Sequence, residues 1–209
     1  AISGAICDED ALRLVRARGI EMAKAAAISP AGMSAVLGGD RDVVLKKLEE
    51  LKLVAANDNG GGQIVAAGDL AALAALSENP PEGARVRALA VAGAFHTSFM
   101  EPAVEPLRTL AATIHTAPTT ISVISNKDGE VVSDGGEVLT RIVNQIANPV
   151  RWDLCMQTLR NLGVTGVIEL PPAGTLVGLL KRGAPEIETF AIKSADDLSA
   201  AKEFAGRHA

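Results

Sequence analysis

A chain of 209 residues with 48% hydrophobic and 22% charged residues can bury the core of one large globular domain, or of a domain with a smaller insertion, and is not a disordered segment. A formal net charge of -5 argues against nucleic acid or an anionic membrane surface as the main partner. With 2% aromatics, no Tyr and one Trp, stacking platforms for single strands are excluded, and the core must be built from Ala, Val, Leu and Ile.

The first elements read as follows. Residues 1–6 look like a helix end, with Gly4 near its C-terminus. Cys7-Asp8-Glu9-Asp10 is an acidic helix start, and Ala11, Leu12, Leu14, Val15, Ile20 and Met22 form an apolar stripe running to about Ala27. Arg13 and Arg16 are expected in solvent. Arg18 lies beside Gly19, where a missing side chain lets another element come close. Ser29-Pro30-Ala31-Gly32 breaks the pattern.

A strand over 33–37 follows. A helix capped by Asp40 comes next, with Val43, Val44, Leu48 and Leu51 facing inward. Strands at 53–57 and 63–68 flank the glycine turn Gly60-Gly61-Gly62, a helix covers 69–77, and a buried strand covers 85–91. Strand, helix, strand, strand, helix, strand is a ferredoxin-like βαββαβ order.

Downstream, a helix is expected at 100–114, strands at 120–125 and 130–132, helices at 137–146 and 153–162, and a buried strand at 164–170. A helix at 175–182, a strand at 189–193 and a capping helix from Ala195 complete the chain. The alternation suggests an α/β class with a parallel sheet and covering helices.

Few residues carry chemistry. There are three histidines; His115 falls in a polar linker and His208 at a frayed terminus, leaving His96, where the apolar run 86–91 opens into a loop. A lone His at such a place is either a hydrogen-bonded structural residue or an acid–base group. Gly60-Gly61-Gly62 joins two strands and is not a phosphate loop; Pro172-Ala173-Gly174 reads as a strand-to-helix turn. Asn57 and Asn59 either satisfy the hairpin backbone or face a cleft. The stretch from Asn144 to Trp152 ends a helix at Asn148-Pro149, and the free carbonyls there can accept from a histidine or from water. No HExxH or metal-ligand cluster occurs, and no GxSxG elbow. Cys7 and Cys155 form no CxxC pair, so buried reduced thiols are expected. Without a membrane-length apolar run or a signal peptide, a cytoplasmic location is expected.

Taken together, Arg18-Gly19 with Met22, the run Gly32-Met33-Ser34-Ala35-Val36-Leu37-Gly38, Asn57-Asp58-Asn59, residues 62–68, Gly93-Ala94-Phe95-His96, Ser125-Asn126 and residues 145–152 resemble, in this order, the malonyl-CoA:acyl carrier protein transacylase family, above all its actinobacterial form. The resemblance covers essentially the whole chain. It implies an α/β-hydrolase-like parallel sheet (residues 1–30 and 92–209), here incomplete, with an inserted ferredoxin-like subdomain (residues 31–91). It implies ping-pong transfer of a malonyl group from malonyl-CoA to the phosphopantetheine thiol of acyl carrier protein through a serine ester, with no further cofactor.

The resemblance also assigns residues. His96 matches the general base, and Gln145 the residue whose backbone carbonyl replaces a triad aspartate. Arg18 matches the malonyl-carboxylate clamp, and Phe95 the ring that crowds an α-methyl group. Met22, Asn57 and Asn59 match substrate-binding positions. The family's Gly-His-Ser-x-Gly nucleophile and its glutamine-rich oxyanion loop would lie upstream of Ala1, so an N-terminally truncated chain is expected. A monomer is expected too. Competing readings are the acyltransferase domain of a polyketide synthase, and an inactive fragment or carrier-protein-binding scaffold.

Overall fold

In the computed structural model, which describes all 209 residues, the chain begins in turns and not in a helix. Gly4 takes φ +81°, and the carbonyls of Ser3 and Ala5 accept from the N–H groups of Thr120 and Ala117. That tie to residues 117–120 replaces the expected helix end. Helix α1 (Asp8–Ala26) places Asp8, Glu9 and Asp10 at its positive end and Lys24 in its last turn. Leu14, Met22 and Ala25 are buried and Arg18 is half-buried, and these four positions follow one helical face. The stripe is narrower than its apolar residues suggest. Leu12 and Val15 are 73% and 67% exposed, because α1 meets its neighbours only through that one face.

Strand β1 (Ala31–Gly38), helix α2 (Arg41–Glu50), β2 (Val54–Asp58), β3 (Gln63–Asp69), α3 (Leu70–Glu78) and β4 (Ala84–Ala88) follow in the expected βαββαβ order. The strands lie as β4-β1-β3-β2 with antiparallel neighbours, and β7 (Val150–Arg151) adds to β2 in parallel. Asp40 and Asp69 accept from backbone N–H groups at the starts of α2 and α3, caps worth about 1 kcal/mol each. Strand alternation makes two cores. Val36, Ile64 and Ala66 face α2 and α3, packing on Val44, Leu48, Leu73 and Leu76. Met33, Val65 and Ala67 point the other way and pack on Ala94, Phe95 and Phe99.

Several expectations are corrected here. Val43 is 48% exposed and Leu51 only half-buried. β4 stops at Ala88 and is an edge strand, so Leu89 and Val91 are surface residues and the expected buried run 85–91 does not exist. Gly60, Gly61 and Gly62 do form the hairpin turn, all at positive φ.

Beyond residue 97 the expected long helix is split into a 3-10 segment (Ser98–Ala103) and α4 (Val104–Ala111), because Pro102 lacks the N–H that an α-helix would need there. The strand expected at 120–125 shrinks to β5 (Val123–Ile124), paired antiparallel with β6 (Val131–Val132). Then come α5 (Gly135–Asn144), a 3-10 turn (Gln145–Ala147), β7, α6 (Trp152–Asn161), β8 (Gly166–Glu169), α7 (Thr175–Gly183), β9 (Glu188–Ala191) and α8 (Leu198–Arg207). β8 and β9 pair in parallel but form no common sheet with β5 and β6. Of the strand expected to be buried at 164–170, only Glu169 is buried, and Leu170 is 54% exposed.

His208 is not frayed. Its ring centroid lies 4.5 Å from that of Phe204, and its Nδ1 is 2.9 Å from the Thr165 hydroxyl. Cys7 is exposed and Cys155 buried, both free; burial first, and then Asp153 and Asp128, raises the Cys155 thiol to about 11. No helix is long and apolar enough to cross a membrane.

Glu169 explains how β8 feeds α7. Its carboxylate accepts from the N–H groups of Gly174, Leu176 and Val177 at 2.8, 2.9 and 3.0 Å, capping a helix that has no side-chain cap of its own. Burial by itself would raise the Glu169 pKa, but the N–H groups of Val177, Leu176, Gly174 and Thr175 outweigh it and hold the pKa below the usual carboxylate value. The cap therefore stabilises the fold above the ordinary Glu range and is lost as pH falls through the lowered folded value. Glu169→Ala is expected to cost about 1–2 kcal/mol at pH 7 by urea unfolding, with the difference from wild type closing in that acid window.

Candidate active site

The loop from Val91 to Thr97 passes between the sheet and α1. Gly93 is buried against Ala26, and a Cβ there would come within 2.9 Å of the Ala26 methyl, so only glycine lets the loop lie this close. Ala94 is fully buried between the sheet and the loop. Phe95 packs on both the α1–α4 core and the sheet core, joining them. Thr97 is buried and donates to Ala94 O at 2.6 Å, which closes the turn.

His96 lies within this turn at φ +61°, a left-handed conformation costing about 1–3 kcal/mol for a residue with a Cβ. It is not at a strand end as the sequence suggested. Its conformation is held from the 3-10 turn after α5. The His96 backbone N–H donates to Ile146 O at 3.2 Å, and its Nδ1 lies 2.8 Å from Gln145 O. A carbonyl can only accept, so this contact places a proton on Nδ1 and leaves Nε2 as the acceptor.

Arg18 is the nearby charge. The α1 face that buries Leu14 and Met22 carries Arg18 between them, so the guanidinium is half-buried and has no carboxylate partner. It lines a cavity of about 430 Å³ together with Ser125, Asn126, Arg141, Gln145 and Trp152. Burial lowers the Arg18 pKa, though a guanidinium stays charged. Burial is also the main cause that lowers His96 below its ordinary value. The Gln145 carbonyl opposes that shift, the Arg18 charge adds to it, and the Asn148 carbonyl opposes it again. The result is an imidazole that burial and the Arg18 charge keep from protonating at neutral pH; His96 itself does not line the Arg18 cavity, which reaches it through the shared Gln145.

The other expected residues divide. Met22 is buried in the α1–α4 core beneath this site and does not line the Arg18 cavity. Asn57 follows a bulge in β2 and pairs with Val150 of β7, one residue beyond Pro149. Asn59 lies in the hairpin turn, where its N–H donates to Gln63 O, and it does not line the Arg18 cavity. That turn packs on α6, with Gly60 close to Asp153 and Met156. A Cβ added at Gly19 would meet nothing within 4 Å, so the expected close approach beside Arg18 is absent.

Sequence reasoning pointed to the free carbonyls of this helix end without saying which would face His96, and it did not single out the buried and unpartnered indole N–H of Trp152. No group of three or more His, Cys, Asp or Glu is placed to hold a metal ion.

Comparison with known proteins matches the acyl transferase domain family over residues 1–203. The chain is 54% identical over 198 residues to the malonyl CoA-acyl carrier protein transacylase of Mycobacterium tuberculosis (strain ATCC 25618 / H37Rv), covering 95% of this chain and 66% of that protein. It superposes on the crystal structure of MCAT from Mycobacterium tuberculosis with a TM-score of 0.91 at 52% identity, covering 95% of this chain and 66% of that one. It also superposes on one chain of a structure described as a type II PKS acyl-carrier protein in complex with its malonyl-transacylase, with a TM-score of 0.86 at 27% identity, covering 96% of this chain and 67% of that one. The chain thus spans just under two thirds of the length of the Mycobacterium tuberculosis relative.

Because folding lowers the His96 pKa, the unfolded chain takes up a proton at a higher pH than the folded one, and stability falls as pH drops from the ordinary imidazole value through the folded value. Arg18→Gln removes one cause of the shift. The His96 ring followed by NMR is expected to titrate at higher pH in this variant than in the wild type; an unchanged midpoint would mean that the two groups do not interact.

Proposed function

Since the chain belongs to the acyl transferase domain family, we propose that it forms the greater part of an [acyl-carrier-protein] S-malonyltransferase. The reading rests on one observation: an imidazole is fixed through Nδ1 by Gln145 O, and Gln145 also lines the cavity that holds the half-buried guanidinium of Arg18, which has no carboxylate partner.

In the first half-reaction, His96 Nε2 takes the hydroxyl proton of the serine of the family's Gly-His-Ser-x-Gly motif, which residues 1–209 do not contain. The serine oxygen bonds to the malonyl thioester carbon, the C–S bond breaks, and CoA leaves as a thiol with the proton from His96. In the second half-reaction the phosphopantetheine thiol of acyl carrier protein gives its proton to His96 and attacks the malonyl-serine ester. The serine oxygen leaves with that proton.

Arg18 holds the free malonyl carboxylate, for which a guanidinium fork offers two parallel charged hydrogen bonds. An acetyl group would leave that cation unpaired. Phe95 narrows the space at the α-carbon, and Asn57, Asn59 and Met22 border or support the substrate. The two acyl carriers are the only partners this chemistry needs, without a further cofactor, in a cytoplasmic monomer. Residues 1–30 and 92–209 form the acyltransferase subdomain and residues 31–91 the ferredoxin-like one.

The test is made on residues 1–209 preceded by the serine-bearing segment. His96→Ala is expected to lower malonyl transfer about 10²–10⁴-fold, as loss of a general base does. Arg18→Ala should cost malonyl transfer heavily and spare much of the acetyl transfer. Equal loss with both donors would remove Arg18 from the carboxylate role. The chain of 209 residues alone, incubated with labelled malonyl-CoA, should carry no covalent malonyl group; an adduct would place the nucleophile within it.

A further inference from the structure

We propose that the side-chain amide of Gln145, and not only its backbone carbonyl, is a positioning group for His96, and that it works by tying the turn that presents the carbonyls to the imidazole. The inference rests on the reading of His96 as a base oriented by Gln145 O and adds a second task to the same residue.

Gln145 is buried, at 8% exposure, although a glutamine side chain is costly to bury unless its polar atoms are bonded. Its Nε2 donates to Asn148 O at 2.7 Å and to Pro149 O at 2.7 Å, so both amide hydrogens are used inside one turn. The turn has little else to hold it. Pro149 has no N–H to donate, and the Asn148 N–H reaches Gln145 O only at 3.4 Å. The Asn148 side chain adds one bond, from Nδ2 to Asn144 O at 2.7 Å.

The same turn bonds His96 through two carbonyls, and a third adds to the pull on its proton. Ile146 O accepts from the His96 backbone, Gln145 O faces Nδ1, and Asn148 O favours the charged ring. An aspartate in this place would attract the ring's N–H by its charge, over a range of angles. A neutral carbonyl orients the ring only while it keeps its distance and direction, so the rigidity of the turn stands in for the missing charge. The Gln145 amide supplies that rigidity from inside the turn. The imidazole tautomer therefore depends on a side chain that forms no hydrogen bond with the ring.

The test is NMR of the His96 ring in the 209-residue chain, reading the tautomer from the ring nitrogen shifts and titrating it. Three variants are compared with wild type: Gln145→Met, of similar length without donors; Gln145→Asn, whose shorter amide cannot span both carbonyls; and Val143→Ala, which opens the nearby core without touching these hydrogen bonds. In the wild type the proton is expected on Nδ1. In Gln145→Met the ratio of the Nε2–H to the Nδ1–H tautomer should rise about fivefold, the worth of one net hydrogen bond, and the ring should titrate at lower pH. Gln145→Asn should move both readouts in the same direction by less, and it carries the test if Gln145→Met does not fold. Val143→Ala should lower stability and leave the tautomer unchanged.

A wild-type proton on Nε2 would overturn the orienting role of Gln145 O itself. A wild-type proton on Nδ1 that stays there in the Gln145 variants would overturn this inference alone. An equal shift in Val143→Ala would reduce the amide to ordinary packing and overturn it as well.

Discussion

The arrangement of the candidate site depends on one short turn, residues 145–149, that offers its carbonyls to a histidine held in a left-handed conformation. That conformation costs about 1–3 kcal/mol, and the backbone bond to Ile146 O and the ring bond to Gln145 O offset it at about 0.5–1.5 kcal/mol each. The turn is also where separate parts of the chain meet. β7 leaves it to pair with β2, and the Arg151 N–H then donates to Asn126 O. Disturbing the turn therefore disturbs His96, the end of the small sheet and the start of α6 together.

Around that turn the electrostatics are set by burial more than by pairing. Arg18 sits on the inward face of α1 with no anion to neutralise it, and burial and this neighbouring cation both disfavour a proton on His96, against the pull of two carbonyls. The other partly buried arginines, Arg141 on the same cavity and Arg151, are neutralised, and so is the exposed Arg41. Arg141 meets Asp128 and Glu137, Arg151 meets Asp153, and Arg41 meets the buried Asp58. A cation left unpaired in such a cavity is open to an anion, as the proposed carboxylate role requires, whereas the paired ones hold structure together.

The small sheet shows how much of this chain is local. The caps at Asp40 and Asp69, the glycine turn at 60–62 and the alternation along β1 and β3 each act within a few residues, and each was readable as pattern. The rest of the chain was less legible because its elements are short or depend on remote partners. Thr120 to Ser125 has the β-branched composition of a strand, yet only Val123 and Ile124 pair, because a strand exists only where a neighbour supplies the ladder. The apolar run 86–91 looked buried, but β4 is an edge and its last residues leave the sheet. Leu12 and Val15 belong to the helical pattern and still lie in solvent, since burial needs a second surface.

By itself, the sequence determined the α/β class, the βαββαβ order, the start of α1 and the short set of residues able to carry chemistry, because caps, turn glycines, strand alternation and rare residue types are properties of neighbouring positions. It named His96 and the free carbonyls of the helix end at Gln145 as groups able to bond, but they are 49 positions apart and no local pattern brings them together. Only the tertiary structure decided that they touch, that His96 sits at positive φ, that Arg18 is unpaired and that Gln145 spends its amide inside its own turn. Those facts follow from which surfaces pack and which hydrogen bonds remain to be satisfied once they do, and no stretch of local sequence specifies either.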